Sequence, residues 1–144
     1  MDIRCLVNDM IKKYHTRNPF EMVKEMNVIL IYAPLSDVRG FYQYFQRNNI
    51  IYINENLAEN HQKLVCAHEL GHMLMHKKSN AIYLDTRTEF NTTKFEIEAN
   101  QFAIELLVSD EEVFENKDLT TEQFARLIGY DQKLIELRIK HNRE

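Results

Sequence analysis

Apolar residues follow two different periodicities in the first part of the chain. Over residues 2–14 they recur every three or four positions, which predicts an amphipathic helix. Asn18 and Pro19 then stand at the N-cap and first-turn positions of a second, shorter helix. The β-branched run at 28–33 predicts a strand, and the apolar segments on either side of 47–49 predict a hairpin. Together these segments predict a small, mostly antiparallel sheet of about three strands.

The rest of the chain has helical spacing. Residues 59–77 predict a long helix, and 78–92 predict a polar, irregular connection. The sequence "TKFE" at 93–96 has the form of a capping box and predicts a helix that runs to about Val108. Three more helices are predicted, which begin at "SDEE" (109–112), at "TTEQ" (120–123) and after the stop signal Gly129. The predicted fold class is therefore α+β and rich in helix.

Composition and charge narrow the class of protein. The chain has 144 residues, of which 44% are hydrophobic and 28% charged, and no Pro/Gly/Ser-rich linker divides it. We expect a single domain, 1–144, made of N-terminal helices and sheet (1–58), two long helices (59–108) and short C-terminal helices (109–144). The net charge of −4 gives no general attraction to nucleic acid or to anionic membranes. Two cysteines and no long apolar segment predict a cytoplasmic protein without a disulfide framework.

The sequence "CAHELGHMLMH" at 66–76 places four polar groups on a helix that is otherwise apolar on every side. His68, Glu69, His72 and His76 fall within one arc of roughly 100° on a helical wheel. Two histidines four residues apart can bind one metal ion, and Glu69 can act as a general base on a water molecule beside it. The alternative is a chance match to HExxH on a buried helix, which the apolar surroundings and Gly71 disfavour.

His76 lies too far along the helix to share one ion with His68, since eight residues correspond to about 12 Å of rise. We interpret it as a residue that packs beside the site or hydrogen-bonds to a ligand. A third metal ligand must therefore come from another part of the chain. An oxyanion stabiliser is also expected, and Tyr83 and His76 are the two candidates.

The segment "FEIEANQFAIELL" at 95–107 offers three glutamates for the missing ligand. A helical wheel places Glu96 among small and apolar side chains, whereas Glu98 and Glu105 fall on the polar face and are predicted to lie at the surface. A buried carboxylate needs a partner, and a metal ion would provide one. Asn100 borders the buried arc and is a candidate to hydrogen-bond to a ligand.

The two segments together resemble the ImmA/IrrE family of zinc metallopeptidases. The pattern HELGHxxLH fits "HELGHMLMH" except that Met75 stands where the pattern has leucine, and E-x-x-A-(N/D)-x-F-A-x-x-L-L matches "EIEANQFAIELL" from Glu96 onward. The resemblance implies a minimal zincin-like domain in which one Zn²⁺ is held by His68, His72 and Glu96, with Glu69 as the catalytic base. The family usually has a proline just after the second motif, where this chain has Val108 and Ser109, a difference that concerns a turn and no ligand.

The resemblance also implies a substrate class, because the family cleaves helix-turn-helix transcriptional repressors of phages and mobile elements. We therefore expect a zinc endopeptidase that relieves repression through a protein partner. One alternative is an antirepressor that binds its partner without cleavage around a structural zinc. A second is direct DNA binding through the helix–Gly–helix segment 119–140, which the acidic balance and the absence of a basic face disfavour.

Overall fold

The computed structural model of the chain describes residues 2–76 and 89–143 and confirms the α+β class. Within these ranges no helix has both the length and the apolar character that a membrane span requires. The helices are α1 (Ile3–Tyr14), α2 (Pro19–Glu25), α3 (Glu59–His76), α4 (Glu89–Leu107), α5 (Asp110–Glu115), α6 (Thr121–Ile128) and α7 (Gln132–Arg143), and the strands are β1 (Ile29–Ala33), β2 (Gly40–Phe45) and β3 (Asn48–Asn54).

Most predicted helix ends are confirmed by cap geometry. The side chain of Asn18 accepts a hydrogen bond from Phe20, and complete capping boxes open α5 at Ser109 and α6 at Thr120. The start predicted for α4 is wrong, because the helix is already formed at Glu89 and contains the "TKFE" segment. A Thr-x-x-Glu sequence is compatible with a helix interior as well as with a helix start, so the local signal could not distinguish the two.

The sheet has the strand order β1-β3-β2 and is mixed. Strands β2 and β3 form the predicted antiparallel hairpin, whereas β1 runs parallel to β3, with Ile29 opposite Ile50. The hairpin turn consists of Gln46 and Arg47, one residue earlier than the predicted turn at 47–49. Both residues have positive φ, 49° and 65°, as a two-residue hairpin turn of the primed type requires. The observed turn is displaced from the predicted one because Asn48 belongs to strand β3, where it pairs with Phe45 of β2.

Helix α3 lies at the centre of the molecule. It packs on β2 and β3, contacts α2, and runs against α4 over much of its length. This position explains why its sequence from Leu64 onward is apolar on every side apart from the polar groups of the 66–76 segment. The approach of α4 is close at Gly71, where a Cβ atom would lie 3.1 Å from Cβ of the buried Phe102. A residue without a side chain at this point therefore sets the distance between the two helices.

The C-terminal helices cover the last turns of α4. Five residues form a second buried cluster there, namely Ile104, Val108, Phe124, Ala125 and Ile135. Helices α6 and α7 are joined at Gly129, which has a φ of 91° and ends α6 in the left-handed conformation. The apolar faces of this helix–Gly–helix unit are used for packing on α4, as the sequence interpretation favoured over DNA binding.

Glu105 corrects a prediction about the surface, because it lies in the interior beside Arg138. Glu105 is buried, and its carboxylate lies 3.6 Å from the guanidinium of Arg138 and 3.8 Å from that of Arg4. Arg138, near the C-terminus, is 1% exposed. It also donates to the carbonyl oxygen of Val108 and pairs with Asp110. The helical wheel placed Glu105 at the surface because it takes no account of other helices, and the two arginines that face Glu105 lie on α1 and α7.

Candidate metal centre

The three predicted metal ligands converge between α3 and α4. His68 and His72 lie one turn apart on α3, and their Nε2 atoms are 3.2 Å from each other. The carboxylate of Glu96, on α4, spans the pair: Oε2 is 2.8 Å from Nε2 of His68, and Oε1 is 2.8 Å from Nε2 of His72. The helical wheel had favoured Glu96 over Glu98 and Glu105 because of its angular position on the helix. The wheel predicted that Glu96 is buried, but its side chain is 36% exposed, against 31% for Glu98, and it lies at the open edge of the core.

Glu69 lies beside this group and is almost completely buried, with 4% of its surface exposed. Its Oε2 atom is 3.9 Å from Nε2 of His68, farther than the oxygens of Glu96. Its Oε1 atom has no hydrogen-bond partner among the described residues. A buried carboxylate oxygen without a partner is costly, and it indicates that a water molecule, a proton or a ligand is accommodated here.

His76 lies one turn beyond His72 and contacts it through the ring nitrogen that does not face Glu96. The Nδ1 atoms of His72 and His76 are 3.0 Å apart, and Nε2 of His76 is 3.2 Å from Oε1 of Glu98. The ring of His76 also packs on Phe95, with the ring centroids 4.3 Å apart. Both nitrogens of His76 are therefore engaged with protein groups, which argues against His76 as an oxyanion stabiliser. The other candidate, Tyr83, lies outside the described residues.

Asn100 and Glu98 complete the surroundings of the two imidazoles. Asn100 lies one turn along α4 from Glu96, and as a hydrogen-bond acceptor it helps to raise the pKa of His68. Glu98, which was predicted to lie at the surface, is half-buried and contacts His76. Sequence reasoning missed the Glu98 contact because the partner histidine lies on α3, 22 residues away, and no local pattern connects the two.

Burial and charge shift the pKa values in opposite directions across this group. Burial raises the pKa of Glu69, and the neighbouring imidazoles do not offset it. Burial also acts to raise the pKa of Glu96, but hydrogen bonds from His68 and His72 outweigh it and hold that pKa far below its usual range. For His68, burial lowers the pKa, while the hydrogen bond to Glu96 and the nearby carboxylates raise it by more. The two carboxyl groups are thus differentiated: Glu96 favours the charged form, and Glu69 takes up a proton more readily.

Cys66 does not take part in this group, although it precedes His68 by only two residues. Its side chain is fully buried in the core. Burial, together with the carboxylate of Glu69, raises its pKa to about 12. Since the thiolate and not the thiol is the metal ligand, Cys66 remains a neutral core residue.

The arrangement fits a divalent metal ion of the kind that accepts nitrogen and oxygen ligands. Tetrahedral coordination with bonds of about 2.0–2.2 Å separates neighbouring donor atoms by about 3.3 Å. The observed separations are 2.8 and 3.2 Å, so the donor atoms are already gathered at nearly the distance that one ion would require. Three protein ligands are typical of a catalytic site, which keeps one position for water or substrate.

Two imidazoles and a carboxylate beside a buried glutamate are the side chains of a metal-dependent hydrolase, and comparison with known proteins gives the family. Residues 23–139 match the model of the IrrE N-terminal-like domain, the peptidase family M78. The chain therefore belongs to this metallopeptidase family.

Curated relatives come from a phage and from a bacterium. The chain is 39% identical over 139 residues to "Uncharacterized immunity region protein 2" of Bacillus phage phi105, an alignment that covers 94% of this chain and 88% of the relative. It is 33% identical over 110 residues to "Metallopeptidase ImmA" of Bacillus subtilis (strain 168), which covers 75% of this chain and 64% of that protein. The phage relative is named for an immunity region and the bacterial relative is named a metallopeptidase, and the second name agrees with the family assignment.

A solved structure shares the fold. A Mycobacterium tuberculosis transcriptional regulator superposes with a TM-score of 0.65 at 14% identity, over 95% of this chain and 46% of that chain. At this level of identity the likeness concerns the fold alone. It shows that the arrangement of helices around the small sheet also occurs within a longer protein.

Proposed function

We propose that the chain is a single-domain zinc-dependent endopeptidase in which His68, His72 and Glu96 hold the metal and Glu69 is the general base. The observation that carries the proposal is the convergence of these three donor groups, within 3.2 Å of one another, beside a buried carboxylate. When bound, zinc would act as a Lewis acid that polarises the scissile carbonyl and makes a water molecule more acidic. Two nitrogens and one oxygen are a donor set found in zinc peptidases.

Glu69 would move the protons of the reaction. Its carboxylate lies beside the donor atoms, and the raised pKa makes it a stronger base than an exposed glutamate. In the hydrolysis of a peptide bond it would accept a proton from the attacking water and then deliver that proton to the leaving amine nitrogen. The fixed position of Glu69 on α3 supports both transfers, since the same helix carries two of the metal ligands.

The proposed substrate is a helix-turn-helix repressor, so that cleavage relieves repression of a phage or mobile element. The family resemblance supports this class, and the phage relative is named for an immunity region. The net charge of −4 also suits a partner whose DNA-binding surface is basic. Because a transcriptional repressor acts in the cytoplasm, the proposal places the reaction there.

The test combines the zinc-loaded protein with a purified helix-turn-helix repressor from the same genome. Wild type is expected to produce a cleaved repressor fragment, seen by mass spectrometry, and a chelator is expected to prevent it. Glu69→Gln should bind zinc normally but yield no fragment, whereas Glu59→Gln, an exposed position on the same helix, should cleave like wild type. Release of the repressor from its operator DNA by Glu69→Gln, without a fragment, would instead establish a binding-only antirepressor.

A further inference from the structure

His76 is held between the two helices of the site by contacts at both ring nitrogens. Nδ1 lies 3.0 Å from Nδ1 of His72, and Nε2 lies 3.2 Å from Oε1 of Glu98. The side chain is only 7% exposed, so water competes weakly for these nitrogens. His76 thereby connects a candidate metal ligand on α3 with a carboxylate on α4 that does not touch the ligands' donor atoms.

The direction of each hydrogen bond follows from the assignment of His72 as a ligand, and this inference therefore rests on the proposed function. A nitrogen that binds a metal carries no proton, so a neutral His72 bound through Nε2 has its proton on Nδ1. That Nδ1–H can only donate, and Nδ1 of His76 must accept. The proton of His76 is then on Nε2, where it is donated to Glu98.

We propose that His76 and Glu98 are positioning residues that fix the tautomer and the ring orientation of His72. The carboxylate at the end of the chain of hydrogen bonds polarises His76 and makes its Nδ1 a better acceptor. His72 in turn is held with its Nε2 lone pair directed at the metal and with a fixed ring plane. Groups that hydrogen-bond to metal-binding histidines in this way contribute about 10–100-fold to metal affinity or activity.

Substitutions of His76 separate its hydrogen bonds from its packing. His76→Phe keeps an aromatic ring against Phe95 but removes both nitrogens, so zinc should bind about 10–100-fold more weakly. His76→Asn loses the ring but offers a side-chain oxygen near the former Nδ1, and we expect it to recover part of the affinity. The readout is the zinc dissociation constant from competition with a chromogenic chelator, which does not depend on peptidase activity. If His76→Phe binds zinc as tightly as wild type, or if His76→Asn binds no more tightly than His76→Phe, the proposal is wrong.

Glu98 is tested by a change that keeps its size. Glu98→Gln should weaken zinc binding several-fold, within the range expected for such groups, and should have no further effect once His76 is phenylalanine. Glu136→Gln on α7, where the glutamate is exposed and contacts Gln132, is the matched loss of one negative charge and should not change the affinity. An equal effect of Glu98→Gln in wild type and in His76→Phe would show that Glu98 does not act through His76.

The tautomers can be read directly in the unaltered, zinc-loaded protein by two-bond ¹H–¹⁵N spectra of labelled histidine. We expect the proton of His72 on Nδ1 and that of His76 on Nε2. A proton on Nδ1 of His76 would overturn the inference. These measurements distinguish it from the proposed function: if zinc binds with these tautomers but no repressor is cleaved, the peptidase proposal fails and the inference survives. If wild type does not bind zinc at all, both are refuted.

Discussion

Arg138 offers a stability test whose magnitude can be worked out from the structure. Its guanidinium is 1% exposed, donates to the carbonyl oxygen of Val108 at 2.9 Å, and lies 3.6 Å from Glu105 and 2.5 Å from Asp110. Arg138→Met keeps a long apolar stem but removes the cation and its donors. The buried carboxylate of Glu105 then loses one of the cations that face it.

Breaking a buried ion pair by removing one partner typically costs about 3–5 kcal/mol. The lower end applies here because Arg4 still lies 3.8 Å from Glu105. The carbonyl oxygen that loses its donor adds about 1 kcal/mol. We therefore expect the free energy of unfolding to fall by about 3–4 kcal/mol, which in a domain of this size lowers the melting temperature by about 10 °C.

The assay is urea and thermal unfolding followed by circular dichroism, with chelator present so that metal binding does not contribute. Arg126→Met is the matched control, since Arg126 is 77% exposed and pairs with Glu122 on the same helix. That control should lose about 0.5 kcal/mol or less. The double variant Arg138→Met/Glu105→Leu should be more stable than Arg138→Met, because it no longer buries the carboxylate. If Arg138→Met loses no more than the control, the buried network does not stabilise the fold and the reasoning is refuted.

Three further predictions concern the turn, the helix contact and pH. Replacing Gln46-Arg47 by Asn-Gly should raise the free energy of unfolding by about 1–2 kcal/mol in urea titrations, because both residues have positive φ. Gly71→Val should press on Phe102, separate α3 from α4 and weaken zinc binding in chelator competition, while an unchanged affinity would contradict the role of this contact. Burial raises the pKa of Asp110, but the two adjacent arginines outweigh it and hold the pKa below its ordinary 3.8. The contribution of Asp110 to the free energy of unfolding, measured as the difference from Asp110→Asn, should therefore be complete at pH values above 3.8. It should disappear as the pH falls through the lower pKa of Asp110 in the folded state.

Local features of this chain were readable from its sequence because their causes lie within a few residues. Asn18, Ser109 and Thr120 each satisfy backbone donors two or three positions ahead, so the helix starts that they mark were predicted correctly. The pair His68 and His72 follows from the same kind of reasoning, since residues four apart on a helix project side by side whatever surrounds the helix.

The selection of Glu96 over Glu98 as the metal ligand depends partly on local sequence and partly on tertiary structure. The wheel gave the angle at which Glu96 leaves its helix, and the structure brings that carboxylate to 2.8 Å from both imidazoles. The distance itself depends on how closely α4 approaches α3, which is set where Gly71 meets Phe102. The sequence therefore indicated which glutamate could take part, and packing determined that it does lie there.

Other features were decided by tertiary structure alone. The parallel pairing of β1 with β3 joins segments that no turn connects, and the sequence carries no signal for its direction. A helical wheel assigns every polar residue on one face to solvent, yet Glu98 meets His76 from α3 and Glu105 meets Arg138 from α7. A carboxylate is stable in either place, in water or beside a buried partner, and only the packing of distant helices determines which one it occupies.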